Sequence, residues 1–255
     1  MTGDNMKIVG IIPARGGSKG IKNKNIMDLN GKPLIGYTIE SALEAKLLDK
    51  VVISTDCPLI KENVLHRYKV EVIDRPAQYA KDDSPIEEAL LHAVEHLKKT
   101  QNYNADIVVW LQANVPFRPQ GLIDEVVQRL VEADDADSCV TCYEVEQRPE
   151  LMKVANKKNR LQPLESDVYA IRRQEFSNHY LLDGSVIVVR AKNLYETIGI
   201  RKAHVYLCKE IIPVVQKEKI YTLEIDTPDD ILLANFYLEK LTKQRTDRKY
   251  NEILQ

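Results

Sequence analysis

The stretch KIVGIIPARGGSKGIKNKN, residues 7–25, joins an apolar run to a basic, glycine-rich one. Its first half is a short run of Ile and Val, which at this length reads as a strand. The run then breaks into Gly16, Gly17 and Gly20, interleaved with Arg15, Lys19, Lys22 and Lys24 and with no acid among them. In open α/β sheets ligands bind beyond the carboxyl ends of strands, which is where this loop falls. Glycines there let backbone N–H groups approach a phosphate chain closely, and Arg15, Lys19 and Lys24 can neutralise it. Taken alone, a Gly/Lys loop is more often a solvated turn than a site. This one is neither a P-loop, because Gly20 is followed by Ile21 and Lys22, nor a G-x-G-x-x-G dinucleotide fingerprint.

Working outward, short β-branched runs alternate with amphipathic ones from residue 6 to about 145, the signature of βαβ units around a mainly parallel sheet. Strands are predicted at 6–14, 50–56, 70–74, 105–114 and 138–145, and helices at 33–45, 58–68, 84–99 and 119–134. The third helix carries a capping-box pattern, with Ser84 as N-cap, Pro85 first in the helix and Glu87 three after Ser84. Residues 146–183 are polar and lose the periodicity, so they read as an arm inserted into the body. Strands are then predicted at 184–191, 203–208 and 221–226. A last helix follows, with Thr227 as N-cap, Pro228 at its first position and Asp229 and Asp230 complementing its N-terminus. The expected architecture is a single α/β domain over 6–245, with a mixed, mostly parallel sheet, helices on both faces and flexible ends at 1–5 and 246–255.

Composition narrows the function. With 255 residues, 44% of them hydrophobic and 29% charged, the chain can bury a sizeable core. Its net charge of −2 argues against a nucleic-acid partner, so the positive charge of the loop is local. No run approaches the roughly 20 apolar residues of a membrane span, and MTGDNMK lacks a signal-peptide core, which makes a cytoplasmic location the default expectation. The four cysteines are then expected to be reduced thiols. HAVEH, His92 to His96, matches a zinc pattern formally, but both histidines fall on the polar flank of a helix. In CVTC, Cys139 and Cys142 are three apart on a predicted strand and so point to opposite faces, which suits buried thiols rather than a chelate.

The loop, followed by LNGKPLIGYTIESAL, VVISTD, RPAQYAKDDSPIEEALLHA, LQANVPFRP, RRQ, DGSVIVV and EIDTPDD, resembles in order the motifs of the acylneuraminate cytidylyltransferases, from about Lys7 to Asp230. The resemblance implies a Rossmann-like nucleotidyltransferase fold with a protruding dimerisation arm at 146–183, hence a homodimer. It implies a reaction in which CTP and a sialic-acid-type 2-keto sugar acid give the CMP-sugar and pyrophosphate, chemistry that asks for alignment and charge stabilisation. Carried over by motif, Arg15, Lys19 and Lys24 are expected around the triphosphate, Asn25, Arg75 and Ser84 around the cytidine, and Gly16 and Ser18 among the nucleotide contacts. Asp226, with Glu224, is expected to hold Mg²⁺, a hard cation that prefers oxygen ligands. Arg15, Lys24 and Asp226 are the expected catalytic set.

Gln112, Lys153, Arg173 and Asp183 are expected at the sugar. Here the chain departs from the family pattern. Glu224 replaces the first Asp of Asp-Ile-Asp, Ala113-Asn114-Val115 replaces Pro-Thr-Ser, Leu181 stands where many members carry Arg, and Asp183 where Asn is usual. These departures leave open another acceptor, such as legionaminic, pseudaminic or deoxy-octulosonic acid, or another NTP. A rival of a different class is a catalytically silent nucleotide-binding protein on the same scaffold.

Overall fold

A computed structural model describes residues 6–164 and 178–253. The opening run forms β1 (Ile8–Pro13), whose alternation buries Ile8 and Ile12 in one core and Val9 and Ile11 in another. It is a central strand: β4 (Lys50–Thr55) pairs with it in parallel on one side and β6 (Ile107–Trp110) on the other, with β5 (Glu71–Asp74) outside β4. Between β1 and β4 the chain makes the small ribbon of β2 (Asp28–Leu29) and β3 (Lys32–Pro33). Beyond β6 lie β10 (Tyr180–Arg190), antiparallel to both neighbours, then β7 (Ser138–Glu144) and β11 (Ile211–Val215) at the edge.

The seven-stranded order is β11-β7-β10-β6-β1-β4-β5. From β1 the chain goes to β4 and β5 on one side and returns to β6 on the other. The crevice between the carboxyl ends of β1 and β6 is therefore the topological switch point, the place where such sheets bind ligands.

Helices cover both faces. On one, α1 (Leu34–Glu44), α2 (Pro58–Arg67) and α4 (Leu122–Glu132) bury Ile35, Ile39, Val64, Val126 and Leu130 against Ile8, Ile12, Val109 and Val188. On the other, α3 (Ile86–Gln101) and α5 (Ala191–Thr197) bury Leu90, Val94, Leu97 and Leu194 against Val9, Ile11, Val52 and Val108. A third, smaller cluster of Leu29, Leu34, Phe117, Ile220, Leu223 and Ile225 seats the start of α6 (Pro228–Ile253). At about 25 cal/mol per Å² these faces supply the main drive for folding. Among the described residues no helix is long and apolar enough to cross a membrane.

Several expectations are corrected. The segment predicted as a strand at 203–208 is a single 3-10 turn, Val205–Leu207, with His204 and Cys208 at positive φ. The next strand is β11, whose inward Ile212 and Val214 alternate with the outward Ile211, Pro213 and Val215, so an apolar outer face and a proline hide its period in the sequence. Residues 221–226 are not a strand either: a 3-10 turn, Lys219–Thr222, leads into extended chain held by one backbone bond, Ile225 N–H to the Asn114 carbonyl at 2.9 Å.

The Ser84 capping box does not form. Pro85 occupies the N-cap position of α3, and the Ser84 hydroxyl donates instead to the Gln78 carbonyl at 2.8 Å. The Thr227 cap does form: its Oγ1 faces the Asp230 N–H, while the Asp230 carboxylate accepts the Thr227 N–H at 2.7 Å and the Asp226 N–H at 3.0 Å. The helix it starts runs to Ile253. Cys139 and Cys142 are buried free thiols, and burial pushes them up to about 12 and about 11. In the arm, β8 (Lys153–Ala155) and β9 (Leu161–Pro163) form an exposed hairpin. It leaves from the end of β7, on the same side of the sheet as the loop after β1.

Candidate active site

The loop after β1 is held at the switch point by its own backbone. The Gly16 N–H donates to Asp56 Oδ1 at 3.1 Å, and the Asn25 amide donates to the Arg15 carbonyl at 3.0 Å. Gly16 and Gly20 serve close packing rather than an unusual backbone, since none of Gly16, Gly17 and Gly20 has a positive φ. A Cβ on Gly16 would lie 2.9 Å from Cys57 Cβ, and one on Gly20 would lie 2.3 Å from the Asp226 carbonyl oxygen; Gly17 faces open space. The loop thus folds back onto the segment that carries the acidic pole, some two hundred residues later.

Arg15, Lys19 and Lys24 are each paired with a carboxylate. Arg15 Nη1 and Lys19 Nζ grip the two oxygens of Asp82 at 2.6 and 2.8 Å, and both donors hold that carboxyl below the usual carboxylate range. Lys24 Nζ, largely buried, meets Asp226 Oδ1 at 2.5 Å. Asp82 therefore sits where two positive side chains converge on one set of oxygens, the arrangement a phosphate would demand. Neither Asp82 nor Asp56 was singled out from sequence, although Asp56 ends a predicted parallel strand on the ligand side of the sheet and so had a positional signal.

Arg75, expected at the cytidine, follows β5 and is 6% exposed. Its backbone N–H donates to the Thr55 carbonyl, but its Nε and Nη2 are buried without a hydrogen-bond partner, Asp56 Oδ1 being 3.7 Å away. Burial holds its pKa below the usual guanidinium value. A desolvated cation with unspent donors on a crevice wall is costly unless a ligand completes it. Ser84 lies nearby in sequence, with its proton committed to Gln78 and its lone pairs free for a donor.

The acidic pole is Glu224 and Asp226. Between them Asn114 Nδ2 reaches Glu224 Oε1 at 3.2 Å, Asp226 Oδ1 at 3.1 Å and the Ile225 carbonyl at 3.5 Å. Burial, and then the charge of Asp226, raises the Glu224 carboxyl above its ordinary value. Among the described residues no group of three His, Cys, Asp or Glu is arranged to hold a metal. The protein itself offers two oxygen-bearing side chains, one already holding the Lys24 ammonium. That donor set fits Mg²⁺, which is commonly bound through one or two carboxylates plus substrate phosphates.

The expected sugar residues separate. Gln112 lies under the bulge of β10, where Gly184 at φ +66° leaves room for its amide; a Cβ there would be 2.3 Å from Gln112 Nε2. Asp183, in the same bulge, is 3% exposed and both its oxygens are engaged, by the Thr141 hydroxyl and Ser185 N–H on one and by Gln216 Nε2 on the other. Its geometry is that of a pin for the bulge. Lys153 stands exposed on the β8–β9 hairpin, and Arg173 lies outside the described residues. The guanidinium of Arg118 binds the carbonyls of Gln112, Val115 and Ser185 and faces the Thr38 hydroxyl, tying the loop after β6 to α1 and the bulge. Desolvation pushes its pKa down to about 9.

The chain is 28% identical over 249 residues to an N-acylneuraminate cytidylyltransferase of Streptococcus agalactiae, an alignment that covers 96% of this chain and 57% of that protein. It thus spans little more than half the length of that curated relative. It is 30% identical over 199 residues to a pseudaminic acid cytidylyltransferase of Campylobacter jejuni, covering 78% of this chain and 85% of the relative. Among solved structures, a CMP:2-keto-3-deoxy-manno-octonic acid synthetase complexed with CTP superposes with a TM-score of 0.67 at 20% identity, covering 92% of this chain and 99% of that one. The cytidylyltransferase family model matches residues 9–251, so a strand-loop crevice with a cationic and an acidic pole is accompanied by family-wide similarity along nearly the whole chain, and the protein belongs to the cytidylyltransferase family.

Proposed function

We propose that this protein transfers CMP from CTP to a sialic-acid-type 2-keto sugar acid and releases pyrophosphate. The observation that carries the reading is the 2.5 Å contact of Lys24 with Asp226, which brings the cationic loop and the carboxylate pair into one crevice at the switch point. Arg15, Lys19 and Lys24 exchange their present carboxylate partners for triphosphate oxygens, and Lys24 is placed to follow charge that develops as pyrophosphate leaves. Arg75 completes its unspent donors on the cytidine. Gln112, beneath Gly184, orients the acceptor. Glu224 and Asp226 would hold Mg²⁺, which supplies charge neutralisation and alignment of the phosphates.

A cytoplasmic homodimer formed through the arm at 146–183 belongs to the same reading. The exposed apolar side chains Leu151, Val154, Leu161 and Leu164 support such a contact. A second reading keeps the chemistry and changes the acceptor. It is favoured by Asp183, which is locked into the bulge by three hydrogen bonds instead of being free for a sugar hydroxyl.

The test is pyrophosphate release with each of the four NTPs, Mg²⁺ and a panel of 2-keto sugar acids. Turnover is expected with CTP and a sialic acid. No turnover with CTP and any acid in the panel refutes the proposal, and turnover with legionaminic, pseudaminic or deoxy-octulosonic acid alone selects the second reading.

A further inference from the structure

We infer that Asn114 is a positioning residue that clamps Glu224 and Asp226 into a shared metal-binding orientation. The inference rests on the proposal that these carboxylates hold Mg²⁺. The two acids lie two residues apart, a spacing that puts side chains on one side of a strand. The segment is not a strand, however, so no ladder of hydrogen bonds orients it. What fixes the backbone is the fully buried Ile225 and its N–H bond to the Asn114 carbonyl. What fixes the side chains is the same residue: the one Nδ2 reaches both carboxylates, at 3.2 and 3.1 Å.

The electrostatics make that donor consequential. Asp226 has a cation against it, Lys24, whereas the hydrogen-bond partner of the Glu224 carboxylate is the neutral Asn114 amide. Two like charges that share a face repel, and a long Glu side chain has rotamers that carry it away from its neighbour. A carboxamide donating to both oxygens holds them convergent at no cost in net charge. Groups that orient metal ligands in this way commonly contribute about 10- to 100-fold in metal affinity.

The experiment titrates the intact protein with Mn²⁺ alone, followed by the electron-paramagnetic signal of the free ion, and in parallel measures the Mg²⁺ concentration for half-maximal pyrophosphate release. Asn114→Ala is expected to weaken Mn²⁺ binding about 10-fold or more and to raise the Mg²⁺ midpoint by a similar factor. Turnover at saturating Mg²⁺ should recover most of its value. Asn114→Leu, close to Asn in shape but without the donor, should do the same and guards against a folding defect in the alanine variant. On a Glu224→Gln background the further loss from Asn114→Ala should fall to less than about 3-fold, because the clamp has lost one of the charges it holds. Unchanged Mn²⁺ affinity in both Asn114 variants, with the parent binding Mn²⁺ normally, overturns the clamp and leaves the metal reading standing. A parent protein that binds no Mn²⁺ and turns over without Mg²⁺ overturns both.

Discussion

Replacing Gly20 by Ala tests whether the loop after β1 acts by its close fit to the acidic pole. The added Cβ would stand 2.3 Å from the Asp226 carbonyl oxygen, where ordinary contact begins at 3.4 Å, so loop and carbonyl must separate by about 1 Å. The carbonyl side is the stiffer. Ile225 is fully buried in its own cluster, and the Thr227–Asp230 cap fixes the start of α6. The loop must therefore yield, carrying Lys24 away from Asp226. A displacement of about 1 Å in an aligned site commonly costs on the order of 10²-fold. Pyrophosphate release is expected to show kcat/KM down by about that factor, with KM for CTP changed less than kcat. Since Gly20 is exposed, global stability should hold within about 0.5 kcal/mol, a shift of about 1–2 °C in Tm for a chain of this size. Gly17→Ala is the control, because a Cβ there meets nothing within 4 Å and the backbone φ is not positive. It should stay within about 2-fold of the parent. A Gly20→Ala enzyme as active as Gly17→Ala would refute the reasoning and leave loop flexibility as the role of both glycines.

Other expectations follow from the same geometry. Lys24→Ala should lower kcat by about 10² or more, as loss of a single charge-stabilising donor does, with little change in thermal stability; unchanged rates would remove Lys24 from the reaction. Asp226→Asn should weaken or abolish the Mg²⁺ dependence of turnover, and an undisturbed metal titration counts against its role. Arg118→Met leaves the carbonyls of Gln112, Val115 and Ser185 without this donor, while relieving the cost of a buried charge. A net loss of about 2–3 kcal/mol in urea unfolding is expected from acceptors left unsatisfied, and a midpoint equal to the parent's would show that the strut is dispensable. His92 packs beside Tyr79 with a buried, unpartnered Nδ1, and burial, then His96, Arg75 and Lys99, lowers its pKa from 6.5. The unfolded chain binds this proton first. The His92 contribution is therefore complete above pH 6.5 and is lost as pH falls through the depressed folded value. His92→Gln should flatten the acid side of a Tm–pH profile, and a profile parallel to the parent's would contradict the assignment.

The sheet and its helices were legible because their side chains obey local periods. β1 divides its residues between two cores by simple alternation, and α3 stacks Leu90, Val94 and Leu97 at helical spacing. Where local signals competed, the reading failed. Ser84-Pro85 has the composition of a cap, yet the Ser84 proton goes to Gln78 in the turn before the helix, a partner set by how residues 78–84 fold back. Residues 221–226 have strand-like composition, but the edge beyond β7 is taken by β11, so this segment crosses the end of β6 and bonds to Asn114 instead.

The candidate site divides in the same way. Its charged types and their order along the chain were readable in ARGGSKGIKNKN, RP, DDSP and EIDTPDD, because residue type alone tells which groups are cationic, acidic or flexible. Partnership was not readable, since it depends on contacts between residues tens to hundreds of positions apart: Asp82 under Arg15 and Lys19, Asn114 between two acids, and Asp183 turned inward to Thr141 and Gln216. By itself the sequence determined most of the elements and the two poles of charge, set by local periodicity and chemistry. Only the tertiary structure decided which charge meets which, because the fold across the switch point brings Gly20 against Asp226 and leaves Arg75 buried with donors still unspent.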